Sequence, residues 1–213
     1  MGLFDAPAGA TAPLHPAPGL TLLPGFALDG ERQLLQDLGQ VVAQAPFRHM
    51  VTRGGYRMSV AMTNCGDAGW ISDRRGYRYA ATDPDSALPW PRLPASFLSL
   101  AARAAAAADF ADFVPDACLV NRYEPGARMS LHQDRNERDF SQPIVSVSLG
   151  VPATFLFGGL TRTAKPLRLR LVHGDVVVWG GAARLSYHGV SPLQPDSHPS
   201  FGVQRINLTL RRT

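Results

Sequence analysis

"PIVSVSLG" (Pro143–Gly150), followed after two residues by "ATFLFG" (Ala153–Gly158), decides the fold class of this 213-residue chain. β-Branched and aromatic residues fill both stretches, glycine closes each, and neither is long enough for an independent helix. The same pattern repeats outward in both directions. "ACLVNRY" (Ala117–Tyr123) precedes it; "LRLRLV" (Leu167–Val172), "DVVVWG" (Asp175–Gly180), "LSYHGV" (Leu185–Val190) and "RINLTLRR" (Arg205–Arg212) follow. Turn residues such as "PG", "GG" and "HGD" separate them. Seven short strands with no helix between them predict an antiparallel sandwich or barrel.

The N-terminal half reads differently. "DGERQLLQDLGQVVAQA" (Asp29–Ala45) predicts an amphipathic helix, with Asp29 placed to cap it and Leu34, Leu35, Leu38, Val41 and Val42 at helical spacing. Pro46 ends it. "PASFLSLAARAAAAADF" predicts a second helix from Pro94, fading before Phe110, whose Phe97, Leu98, Leu100 and Ala104 can dock on a sheet. The segment between them is rich in glycine, arginine and aromatics. It predicts short strands and loops forming a lid. There Arg53, Arg57, Arg74, Arg75 and Arg78 mingle with Tyr56, Trp70, Tyr77 and Tyr79. Guanidinium groups suit phosphates and flat rings suit bases, as single-stranded nucleic acid requires. A solvated loop whose aromatics pack on the core has the same composition. The expected class is therefore mostly β with flanking helices (α+β). Residues 1–23 form a flexible Pro/Ala-rich tail and 24–213 a single domain, with a lid at 46–93 and a β core at 112–213.

Composition removes several alternatives. Hydrophobic residues at 45% and charged residues at 18% are ordinary for a soluble globular chain. Cys65 and Cys118 are too few for a disulfide framework or a C-x-x-C zinc site, so a reducing cytoplasm is expected. No apolar run is long enough to span a membrane. The N-terminus lacks the basic start and apolar stretch of a secretory signal, and Ala6 stands where a myristoylation motif needs Ser or Thr. A net charge of +4, with Lys165 the only lysine, favours polyanionic partners.

"LHQD" (Leu131–Asp134) carries the chemistry. On an extended chain residues i and i+2 share a face, so His132 and Asp134 converge while Gln133 points away. His188, in a later strand, completes two histidines and a carboxylate, the facial triad that leaves coordination positions open on a non-haem iron(II). His49, His173 and His198 are rival ligands, although His173 in "HGD" reads as a turn before an apolar strand. The last strand adds a second signal. Alternation sets Arg205, Asn207, Thr209 and Arg211 on one face and Ile206, Leu208 and Leu210 on the other. Two arginines beside an iron suit a dicarboxylate, each binding it through paired hydrogen bonds. An edge strand with its arginines in water would read the same way.

Together "NRYEPGARMSLHQD", "PIVSVSLG", "HGDVVVWGG", "YHG" and "RINLTLRR" resemble the AlkB family of iron(II)- and 2-oxoglutarate-dependent dioxygenases. The likeness extends through "APFRHMVTRGGYRMSVAMTNCG" and "DPDSALPWPRLP" and covers nearly everything after Pro24. It implies a double-stranded β-helix (jelly-roll) core with an N-terminal helical layer and a nucleotide-recognition lid. By the same resemblance, Fe(II), 2-oxoglutarate and O2 are the cofactor and co-substrates. His132, Asp134 and His188 would bind iron; Arg205 and Arg211 would hold 2-oxoglutarate, with Asn121, Tyr123 and Asn207 completing that pocket. Trp70 would sandwich a flipped base against His132. Thr52 and Tyr77 would contact phosphates, and Met62, Asn136 and Arg162 would lie among the substrate contacts.

The implied activity is DNA repair by direct reversal. N-methyl groups of 1-methyladenine or 3-methylcytosine type are hydroxylated and lost as formaldehyde while 2-oxoglutarate becomes succinate. The implied partners are alkylated single- or double-stranded DNA, with RNA as a second candidate, no membrane is involved, and the protein is a monomer. Such methyl groups sit on the Watson–Crick edge, so the base must be unpaired or flipped out. One position departs from the family pattern. Asn136 stands where bacterial members commonly have an acidic residue that senses the damaged base, and Asp139 or Glu137 is expected to compensate. A protein or small-molecule hydroxylase, and a non-catalytic nucleic-acid-binding module, are the rival readings.

Overall fold

The computed structural model describes residues 12–213. The first 11 residues of the expected tail, including Ala6, lie outside the described residues. The end of that tail is ordered structure. β1 (Leu14–Ala17) and β2 (Leu20–Leu23) form an antiparallel hairpin, and all four residues of β2 are buried. The run "LTLL" has the apolar, β-branched character of a strand, and the Pro/Ala-rich context masked it.

Two sheets face each other. The larger has eight strands. They are β1, β2, β12 (Val176–Trp179), β9 (Ile144–Gly150), β14 (Arg205–Arg211), β7 (Ala117–Tyr123), β4 (Arg57–Gly66) and β3 (Arg48–Val51), in that spatial order. The smaller contains β11 (Leu167–Leu171), β10 (Ala153–Phe157), β13 (His188–Val190) and β8 (Met129–His132). Every described pairing in both is antiparallel. All six strands read from the sequence within 117–190 and the seventh at 205–211 are present, while β8 was not among them. Its polar "MSLH" lacks the apolar alternation that marks the others.

The continuous burial of β9 and β14 follows from their central place. One face of the large sheet packs under the helices α1 (Glu31–Gln44) and α2 (Ala95–Ala106), through Leu34, Leu38, Phe97, Val145, Val147, Leu208 and Leu210. The opposite face closes on the small sheet through Ile144, Phe155, Phe157, Val177 and Trp179. Two layers of apolar contact on one sheet require side chains that are buried whichever way they point.

α2 begins after Pro94 as expected. α1 is not capped by Asp29. That residue closes a single 3-10 turn (Phe26–Leu28), and Gly30 at φ 86° intervenes before the helix. One position too early to reach the free N–H groups, the Asp29 carboxylate instead accepts from Arg103 of α2 at 2.9 Å.

The segment 46–93 is divided. Its first part, β3 and β4, extends the large sheet beside β7. Only β5 (Gly69–Asp73) and β6 (Gly76–Ala80) form a separate two-stranded hairpin, which carries Trp70, Tyr77 and Tyr79.

Candidate active site

β8 and β13 are neighbours in register, with His132 directly opposite His188. Asp134 follows β8 by two residues, so its side chain falls on the same face. The three residues offer ligand atoms within 4.8 Å of one another. His132 Nε2 lies 3.6 Å from Asp134 Oδ1, and His188 Nε2 lies 3.5 Å from Asp134 Oδ2. Gln133 points away, donating to the Leu185 carbonyl.

Local backbone fixes the tautomers. His132 Nδ1 lies 2.9 Å from the Ser130 carbonyl and His188 Nδ1 lies 3.0 Å from the Ser186 carbonyl. A carbonyl only accepts, so each Nδ1 carries the proton and each Nε2 presents its lone pair to the centre. Gly189 allows the two strands to approach, since a Cβ there would lie 2.6 Å from the Met129 carbonyl oxygen. That accounts for the glycine in "YHG".

Electrostatics keeps the donor set ready for a cation. Partial burial, and then the neighbouring His188, hold the His132 pKa down at about 4, so the ring is neutral at pH 7. Burial pushes Asp134 up, but Arg211 and the two histidines outweigh it and keep the carboxylate ionised. Two imidazole Nε2 atoms and one ionised carboxylate facing a common centre are a donor set that binds iron(II).

The arginine face of β14 is interior. β14 lies between β9 and β7, and Arg205 and Arg211 are 2% and 5% exposed, which excludes a solvated edge strand. Both line a narrow cavity with Asn121, Tyr123, Ser146, Thr209 and the triad. Arg205 lies over the Tyr123 ring and donates to Ser148 Oγ at 2.9 Å. Its Nε and Nη1, with Arg211 Nε and Asn121 Oδ1, are buried without a hydrogen-bond partner. Buried polar groups left open in this way, here three donors and one acceptor, are costly unless a ligand takes them. Beside a metal triad, an anionic co-substrate that chelates the ion and reaches the guanidinium groups fits them. Asn207 shares the cavity, but its amide is committed to Ser146, Val147, Thr209 and Asn121. It orients Asn121 and the strand.

A wider groove of about 1040 Å³ runs between α1 and residues 83–96. It contains no metal-ligand group and no buried unpaired donor among the described residues, so its size marks no chemistry.

Residues 19–211 match the 2OG-Fe(II) oxygenase superfamily. Over 212 residues the chain is 56% identical to the alpha-ketoglutarate-dependent dioxygenase AlkB of Salmonella typhimurium, covering 100% of this chain and 97% of that protein. The chain belongs to the AlkB family. The corresponding AlkB of Escherichia coli is 56% identical over 196 residues, 92% of this chain and 91% of that one. The solved structure of OsALKBH1 superposes with a TM-score of 0.82 at 30% identity, covering 94% of this chain and all of the other. The chain is thus an iron(II)- and 2-oxoglutarate-dependent dioxygenase with the jelly-roll core of the AlkB family.

The AlkB-type recognition residues divide in space. Trp70 stacks on Tyr77, with ring centroids 5.5 Å apart and 17° between planes, and its indole N–H donates to Asn136 Oδ1 at 3.2 Å. Met62 is buried on β4 opposite Asn121, as part of the inner core beneath the site. Thr52 shapes the turn between β3 and β4 by accepting from the Tyr56 N–H. Arg162 is exposed in the loop between β10 and β11, and no described contact brings it to the triad.

The expectation that Glu137 or Asp139 replaces the missing acid at position 136 is not met. The Glu137 carboxylate is fully buried and accepts from Tyr79 Oη at 2.6 Å, Arg184 Nη2 at 3.3 Å and Arg211 Nη1 at 3.5 Å. Asp139 turns back to accept from Ser141. Sequence reading missed the role of Arg184, which also donates to the Asp134 carbonyl at 2.8 Å. It missed that of Tyr79 as well, which joins the hairpin to Arg211 at 3.1 Å. A lone arginine four residues before His188 and one tyrosine among several carried no distinguishing signal.

Proposed function

We propose that the chain repairs alkylated nucleic acid by oxidative N-demethylation, acting on 1-methyladenine- or 3-methylcytosine-type lesions in DNA, with RNA as a second substrate. The observation that carries this reading is the pairing of the triad-and-arginine cavity with the aromatic hairpin. β5–β6 sets a half-exposed indole and an exposed tyrosine beside the rim of the site, where a base-sized flat group can stack.

In this reading His132, Asp134 and His188 hold iron(II). Arg205, Arg211, Asn121 and Tyr123 hold 2-oxoglutarate. Trp70 stacks on the extruded base, Tyr77 and Thr52 lie along the phosphate path, and Met62, Asn136 and Arg162 belong to the substrate side. The bound iron, 2-oxoglutarate and O2 supply the oxidising equivalents that hydroxylate the N-methyl group, which then leaves as formaldehyde. The protein orients the partners. Ser130 and Ser186 hold the two Nε2 atoms on the metal side, and Arg184 clamps the backbone of Asp134. Arg211 fixes the Asp134 carboxylate at 2.7 Å while leaving its Nε free for the co-substrate. Flipping the base costs a few kcal/mol, of which stacking on Trp70 returns about 1–3 kcal/mol.

The lid segment 46–93 is proposed as the recognition region, with the β5–β6 hairpin as its working part. Cytoplasmic action fits the two free, buried cysteines, and action as a monomer is proposed with it. No helix among the described residues is long and apolar enough to cross a membrane.

The test is formaldehyde release from a methylated oligonucleotide by anaerobically purified protein supplied with iron(II), 2-oxoglutarate and oxygen, alongside His188→Ala. Release by the wild type and its loss in the variant supports the proposal. Succinate formation with no turnover of any oligonucleotide moves the substrate to a protein or small molecule.

A further inference from the structure

We propose that Asn64 is a positioning residue for nucleic-acid recognition. Its amide clamps the backbone of Trp70 and so fixes where the stacking indole stands. The inference rests on the demethylase reading above and adds to it a residue that never touches the base.

An isolated two-stranded ribbon is marginally stable in water, yet β5–β6 is such a ribbon and carries the indole on which that reading depends. A stacking ring that wandered would have to be ordered on binding, which offsets the contact it makes. Something outside the ribbon must hold it. The side chain of Asn64 does so from β4, whose backbone is paired at this residue with Leu119 of β7 in the large sheet.

Asn64 Oδ1 accepts from the Trp70 N–H at 3.0 Å, and Asn64 Nδ2 donates to the Trp70 carbonyl at 3.1 Å. No other orientation of the amide serves both groups, since an N–H only donates and a carbonyl only accepts. The amide thus stands in for a neighbouring strand, offering one acceptor and one donor to a single residue. A carboxylate would offer acceptors alone. An apolar side chain at this site, where Asn64 is 1% exposed, would leave both backbone groups of Trp70 open.

The rest of the ribbon's root agrees. Gly69, just before Trp70, has no room for a Cβ, which would meet the Trp90 ring and lie 2.8 Å from the Asn64 Cβ. Its register partner across the ribbon, Ala80, accepts from Trp90 Nε1 at 2.9 Å. Both strands are therefore pinned at the root, one by an amide and one by an indole, and Trp70 is the first side chain beyond it. Further out, Ser72 Oγ donates to the Val51 carbonyl at 2.6 Å. Of these anchors, Asn64 alone bonds the backbone of the stacking residue itself.

The experiment is a double-mutant cycle read as the KM for an oligonucleotide carrying one 3-methylcytosine, with Asn64→Ala, Trp70→Ala and the double variant beside the wild type. Loss of the clamp cannot cost more than the indole supplies, so Asn64→Ala should raise this KM about fivefold. The KM for 2-oxoglutarate and the iron(II) affinity should stay within about twofold. Once Trp70 is alanine, the same substitution should change the oligonucleotide KM by less than about twofold. An equal rise in both backgrounds overturns the proposal, because Asn64 then acts on the fold at large; no rise in the first background overturns it too. Where Asn64→Ala does not fold, Asn64→Asp, which keeps the acceptor for the Trp70 N–H, goes through the same cycle. Amide exchange of the wild type needs no variant. The Trp70 N–H should exchange as slowly as the amides of β4, and exchange as fast as at exposed Arg74 overturns the clamp. Absence of oligonucleotide turnover by the wild type overturns the demethylase reading itself, and the recognition role with it, whatever the exchange rates show.

Discussion

Replacing Glu137 by Gln removes one charge from the centre of the site and little else. The side chain is fully buried, and its two oxygens serve Tyr79, Arg184 and Arg211 at 2.6, 3.3 and 3.5 Å. Glutamine retains an acceptor for the tyrosine but leaves Arg184 without its carboxylate partner. Arg211 is left balanced by Asp134 alone. Breaking a buried pair by removing one partner costs about 3–5 kcal/mol, because the remaining charge stays desolvated. For a domain of this size 1 kcal/mol shifts the melting temperature by roughly 2–4 °C, so a fall of about 10 °C is expected. Thermal denaturation of the iron-free protein followed by circular dichroism measures it, with Asp139→Asn as an exposed control that should move little. Saturating 2-oxoglutarate should narrow the gap, because the added anion neutralises the arginines. A fall below about 2 °C would refute the inference that Glu137 neutralises Arg184 and Arg211.

Trp70→Ala should raise the KM for a methylated oligonucleotide about tenfold, the equivalent of about 1.4 kcal/mol of lost stacking. Iron binding, followed by the metal–co-substrate absorption band, should be unaffected; equal loss of both would place Trp70 in the core. Gly189→Ala places a Cβ against the Met129 carbonyl at 2.6 Å, forcing β13 from β8. The expected result is about 1–3 kcal/mol of destabilisation together with weakened iron binding, measured by denaturation and metal titration. The folded-state pKa of His132, about 4, lies below the ordinary 6.5, so the unfolded chain binds more protons between these values. Stability of the iron-free protein therefore falls as pH drops through that window, and His132→Gln should flatten the melting-temperature profile there.

The sequence by itself determined the strands β7, β9, β10, β11, β12, β13 and β14, whose apolar runs, mostly β-branched or aromatic, are closed by turn residues. Strand formation there is dictated by local composition and alternation. It also put His132 with Asp134, and Arg205 with Arg211, on common faces, because even spacing on an extended chain sets side-chain direction; the register of β13 with β8 brought His188 to them, and the place of β14 inside the sheet put the arginines in the interior. The Pro/Ala-rich start hid β1 and β2, since their burial depends on β12 supplying an edge for β2 to pair with. The polar strand β8 escaped for a similar reason: only its pairing with β13 makes "MSLH" a strand. The functions of Glu137, Arg184 and Tyr79 were decided by tertiary structure alone. Ion pairs across 47 and 74 positions of chain, and a hydrogen bond across 58, leave no local pattern. Asn136 belongs to both levels. Its amide could be read from the sequence, but which end faces Trp70 is set by an indole 66 residues away that can only donate.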